Sequence, residues 1–180
     1  MTRLILAALA AVAAFAPVAS AHTTIAAPEG SAIPYQRWVD ETKVPTPDVT
    51  LIVREEACPG LPPGEIASAC TIKGTQTIWF EWWMPRWARR GSFLHEVAHN
   101  VDYLMPDWVR SRYTALVGLD LGWREEGAGR WTPHEMFAES WAACAQQPVL
   151  HSGESLRNGT EPMGGWRTHN SVCRMLARLG

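Results

Sequence analysis

Residues 92–104 read Ser92-Phe93-Leu94-His95-Glu96-Val97-Ala98-His99-Asn100-Val101-Asp102-Tyr103-Leu104. In an α-helix each residue advances about 100° around the axis. His95, His99 and Asp102, spaced i, i+4, i+7, then share one face. Leu94, Val97, Val101 and Leu104 share another, which buries in a core. Ser92 can cap the helix, and Pro106 stops it just beyond Leu104. The segment is therefore expected to be an amphipathic helix with a His–His–Asp stripe beside an apolar one.

Two imidazoles one turn apart can reach a single tetrahedral Zn2+. Glu96 follows the first of them and can point toward a water on that ion, which is the H-E-x-x-H arrangement of metallopeptidases. Zinc lowers the pKa of bound water to about 7 and polarises a carbonyl. A carboxylate beside that water takes its proton as general base and later delivers it to the leaving amine. Glu96 is the expected catalytic group, with His95 and His99 as ligands. A catalytic zinc also needs a third protein ligand and an open position.

The third ligand is expected from a later helix. Thr132 can cap it, Pro133 takes its first position, and it runs to Gln147 before Pro148. It offers Glu135 and Glu139, one turn apart, with His134 beside them. Two arrangements are open on the residues alone. Thr132-Pro133-His134-Glu135 fits a capping box, in which Glu135 bonds back to the Thr132 amide and Glu139 becomes the ligand. Otherwise Glu135 binds the metal and Glu139 orients a ligand imidazole through its other N–H.

The segments His95-Glu96-Val97-Ala98-His99-Asn100-Val101-Asp102-Tyr103 and Glu135-Met136-Phe137-Ala138-Glu139-Ser140 resemble the active site of gluzincin metallopeptidases, with the pattern of the anthrax lethal factor-like group. The resemblance covers about residues 90–147. It implies Zn2+ as cofactor, Glu135 as third ligand, and Glu139 and Asp102 as supporting residues. It implies a peptide or protein substrate, paired with a strand at the edge of the cleft. The chain departs from the group at one point. The group carries a Tyr shortly before the ligand Glu that helps stabilise the oxyanion, and residues 127–132 contain none. Arg130, His134 and Tyr113 are candidates for the missing donor.

The order of elements predicts an α+β, zincin-like fold, with a small mixed or antiparallel sheet packed on helices. Val49–Val53 reads as a short strand. Thr71–Trp83, rich in β-branched and aromatic residues, reads as the main strand, ended by Pro85. Helices are expected from Asp107 to about Val117, before Gly118, and from Thr168 to Leu179. Residues 22–65, broken by Pro28, Pro34, Pro45 and Pro47, are expected to form a Pro-rich extended segment with a short helix near Tyr35–Glu41. Residues 66–180 form the catalytic domain. Most of the ten Trp residues are expected in the core.

Residues 1–21 read as a signal peptide: Arg3, an apolar run from Leu4 to Ala16, and an Ala19-Ser20-Ala21 cleavage site. The protein is then expected to be secreted or extracytoplasmic, a monomer, with no stable membrane span after cleavage. Its four cysteines suit disulfides in an oxidising compartment, and short loops favour Cys58–Cys70 and Cys144–Cys173. A formal charge of −2 gives no reason to expect nucleic acid as partner. The alternative is a secreted zinc- or copper-binding module without peptidase turnover. Copper would be chelated by an amino-terminal His22 together with a second His.

Overall fold

The structure, a computed structural model, describes residues 22–28, 30–61, 67–81, 84–120, 122–123, 132–156 and 164–179. The expected leader, Arg130, Trp82, Trp83 and Trp131 lie outside them. In chain order the elements are β1 (Thr24–Ala26), α1 (Ile33–Asp40), β2 (Thr50–Arg54), β3 (Ala69–Thr71), β4 (Thr77–Phe80), α2 (Arg86–Leu104), α3 (Asp107–Val117), α4 (Pro133–Gln146) and α5 (Gly165–Leu176). The fold is α+β, and the sheet is mixed.

Strand order is β1-β2-β4-β3, with β1, β2 and β4 parallel and β3 antiparallel to β4. The expected single strand Thr71–Trp83 is instead a hairpin. β3 ends at Thr71, the chain turns through Gly74 (φ 84°) and Gln76 (φ 51°), and β4 begins at Thr77. Gly74 takes a positive φ at little steric cost. Thr75 holds the turn by donating from N and Oγ1 to the Ile72 carbonyl, at 3.1 and 2.7 Å. β4 therefore sits inside the sheet, paired on both sides, and β3 is the edge strand on this flank. The Pro-rich segment supplies β1, α1 and β2, so it belongs to the same sheet and core.

α2 begins at Arg86, well before Ser92, which lies inside the helix rather than capping it. Pro85, with φ fixed near the helical value, occupies the N-cap instead. Phe93, Leu94, Val97 and Ala98 are fully buried, but Leu104 is 58% exposed and does not join the apolar stripe. Asp107 does not cap α3; Pro106 holds that position, and Asp107 accepts from Arg110 Nη1 at 2.5 Å. Gly118, with φ 73°, closes α3. α5 starts at Gly165, three residues before the expected Thr168, and ends at Leu176.

α2 lies against α4 on one side and against β3, β4 and α1 on others; α4 in turn carries α5. Leu51, Val53, Ile78 and Phe80 from the sheet meet Phe93 and Val97 of α2 and Phe137 and Trp141 of α4 in one core. Of the described Trp residues, Trp141 is fully buried, Trp38 and Trp123 pack at the core margin, and Trp108 is exposed. Cys58–Cys70 ties the segment after β2 to β3, and Cys144–Cys173 ties α4 to α5. No helix among the described residues is long and apolar enough to cross a membrane.

Candidate metal centre

The contact between α2 and α4 brings His95, His99, Glu135 and Glu139 together. His95 Nε2 lies 3.1 Å from Glu135 Oε2, and His99 Nε2 lies 3.4 Å from Glu135 Oε1. On the far side of the first ring, His95 Nδ1 lies 3.3 Å from Glu139 Oε2. The two imidazoles meet edge to face, with centroids 4.8 Å apart. Both Nε2 atoms thus converge on one carboxylate, while Glu139 holds the back of His95.

The alternative in which Glu135 caps its own helix is not formed. Thr132 occupies the N-cap position but makes no side-chain cap bond. Its Oγ1 lies 3.0 Å from His134 Nδ1 instead. Glu135 turns toward α2 and meets His95, His99 and His134.

These donors suit a small divalent cation. One ligating atom from each of His95, His99 and Glu135 lies within 4.8 Å of the other two. Zinc binds imidazole nitrogen and carboxylate oxygen at about 2.0–2.2 Å, so an inward movement of about 1 Å or less brings all three to bonding distance. His99 Nδ1 is buried with no hydrogen-bond partner among the described residues.

The electrostatics of the site follow from crowding. Burial opposes charge on His95, but its bonds to Glu135 and Glu139 and the nearby charge of Glu96 outweigh it and push its pKa up to about 10. Burial also opposes charge on Glu135, yet its contacts with His95 and His99 hold it well below the usual carboxylate range. Glu96 is 7% exposed. Burial raises its pKa, the charges of His99 and His95 pull it down, and Glu135 raises it further.

Asp102 is fully buried, at the far end of α2. It accepts from Arg110 Nε at 3.0 Å and from Trp123 Nε1 at 2.9 Å, and its backbone carbonyl accepts from Arg110 Nη2. The Trp123 carbonyl accepts the His134 backbone N–H at 3.3 Å. Asp102 thus reaches the start of α4 through Trp123. Neither Arg110 nor Trp123 is signalled for this role by residue spacing, because both lie across turns from α2. Asn100 joins α2 to the edge strand, donating to Thr71 Oγ1 at 3.1 Å.

Of the oxyanion-donor candidates, Tyr113 is fully buried and its hydroxyl lies 2.9 Å from Ser140 Oγ, in the core. His134 is at the cluster, with its ring 5.6 Å from that of His99. His22 lies beside Asp40 and Gln36, and among the described residues it belongs to no cluster of three ligating side chains. A second such cluster, Cys144, His169 and Cys173, has its two sulfurs joined as a disulfide.

Comparison with protein-family models, with curated proteins and with solved structures found no match for this chain.

Proposed function

We propose that the chain is an extracytoplasmic zinc metalloendopeptidase with a gluzincin-like active site. The observation that carries this reading is the convergence of His95 Nε2 and His99 Nε2 on the Glu135 carboxylate, with Glu96 buried beside them. His95, His99 and Glu135 would hold the zinc, which supplies a polarised carbonyl and an acidified water. Glu96 would serve as the general base, holding a proton taken from the attacking water and releasing it toward the leaving amine. Glu139 fixes the ring of His95, the role of a partner that orients a ligand. The substrate is a peptide or protein, and the protein acts as a monomer. The two disulfides are compatible with an oxidising, extracytoplasmic location.

The test is metal content by mass spectrometry together with a peptide-library cleavage screen, on wild type, Glu135→Ala and Glu96→Gln. The expected result is one zinc per chain, lost or weakened in Glu135→Ala. Glu96→Gln should keep its zinc and lose about 10^2–10^4-fold or more of turnover. A wild-type protein without zinc after chelator-free purification would sink the proposal. Zinc binding without cleavage, indifferent to Glu96→Gln, would make the protein a binding module instead.

A further inference from the structure

Thr132-Pro133-His134-Glu135 has the spacing of a capping box, yet its side chains make another connection. Thr132 Oγ1 lies 3.0 Å from His134 Nδ1, and His134 Nε2 lies 3.2 Å from Glu135 Oε1. A neutral imidazole has one donor and one acceptor nitrogen. With the Thr132 hydroxyl donating to Nδ1, the ring proton sits on Nε2, within ion-pair range of a carboxylate oxygen. The other tautomer would set a lone pair against that carboxylate. The Trp123 carbonyl, 3.3 Å from Nδ1, keeps a second lone pair beside the one taken by the His134 backbone N–H, and it accepts from Nδ1 only when that nitrogen carries a proton. A ring carrying both protons would still donate from Nε2. In either state Nε2 is the protonated nitrogen on the Glu135 side, and Thr132 braces the other nitrogen.

We propose that His134 is a positioning residue for the metal ligand Glu135, an inference that rests on the zinc reading above. Glu135 has two oxygens within reach of the cluster: Oε2 faces His95, and Oε1 faces both His99 and His134. A carboxylate bound through both would fill two coordination positions and, with two imidazoles and a water, make a five-coordinate shell that crowds the open position. A catalytic site needs one position open. By holding Oε1, His134 leaves Oε2 as the single oxygen offered to the metal. The hydroxyl of Thr132, diverted from the cap, fixes the ring that does so. This accounts for a helix start whose N-cap threonine caps nothing.

The test uses the full chain loaded with zinc or with cobalt(II), whose visible bands are strong in four-coordinate and weak in five-coordinate sites. Wild type should give the four-coordinate spectrum. His134→Ala should weaken zinc binding by about 10–100-fold, the usual effect of losing a partner that orients a ligand, and should shift cobalt toward the five-coordinate spectrum. His134→Gln, whose amide can donate to Oε1, should recover much of both. Thr132→Val should move both readouts the same way by less. A His134→Ala protein with wild-type affinity and spectrum overturns the inference while leaving the zinc reading intact. If His134→Ala does not fold, unchanged affinity and spectrum in Thr132→Val overturn it instead. A wild-type chain that takes up neither metal overturns both readings.

Discussion

α4 carries two clusters of metal-type side chains, one near each end, and they behave differently. Glu135, in the first turn, faces His95 and His99 of α2. Cys144, near the last turn, faces His169 and Cys173 of α5. In the second cluster the ligating atoms are already committed. The sulfurs are bonded to each other, and His169 Nε2 lies 2.8 Å from the Gln147 carbonyl, so that nitrogen carries a proton rather than offering a lone pair. In the first cluster the imidazole nitrogens point into a shared space around one carboxylate. Ligand types in proximity therefore do not define a metal site. Its mark is ligand atoms that converge on one point and are held there by protons that a cation can displace.

The largest expected effect separates the clusters by stoichiometry. His99→Ala should lose stoichiometric zinc, and His169→Ala should retain one zinc per chain, both read by mass spectrometry of the folded protein. Zinc lost on changing His169 and kept on changing His99 would reverse the assignment.

Next in size is the staple itself. Cys144–Cys173 closes 29 residues and Cys58–Cys70 closes 12. Chain entropy assigns the longer loop about 3.6 kcal/mol and the shorter about 2.8 kcal/mol. Replacing both cysteines of each pair by Ala should lower urea stability in that order. The Cys144→Ala/Cys173→Ala protein should still take up zinc, because Phe137 and Trp141 anchor α4 in the core without the staple. Loss of zinc there would show that the two ends of α4 are coupled.

The site was more legible in the sequence than the sheet that supports it. The His95–His99 pairing follows from helical period alone, and Glu135 and Glu139 share a helix whose start is marked by Thr132 and Pro133. Both disulfides follow from short loops. The hairpin was hidden because Gly74 interrupts a run whose composition otherwise favours one strand. β1 escaped notice because three residues, Thr24–Ala26, become a strand only by pairing with Thr50–Ile52 far along the chain. The diversion of Thr132 was also hidden, since the spacing of a capping box says nothing about which acceptor its hydroxyl meets. Contacts within one helix are local and can be read from spacing. Contacts made by turns and parallel strands depend on the assembled fold.

The smallest effect sharpens the comparison through pH. The two clusters hold histidines whose pKa values move in opposite directions. His95 is pushed up to about 10 by its carboxylate partners, against the effect of burial. Its charged form stabilises the metal-free fold fully below the unfolded value of about 6.5, and that stability is lost as pH rises toward 10. His169 is lowered by burial, partly offset by its bond to the Gln147 carbonyl. Its neutral form is compatible with the fold above about 6.5, and stability falls as pH drops below that value, because the unfolded chain takes up the proton first. Each slope is at most about 1.4 kcal/mol per pH unit for one proton. Urea unfolding of the metal-free protein should therefore flatten on the alkaline side in His95→Gln and below about pH 6.5 in His169→Gln. Zinc should remove the alkaline slope of the wild type, since a ligating imidazole must be neutral. It should leave the His169 slope alone. An alkaline slope that survives both zinc and His95→Gln would mean that the carboxylates around His95 do not hold a proton there, and the two clusters would then differ in the disulfide alone.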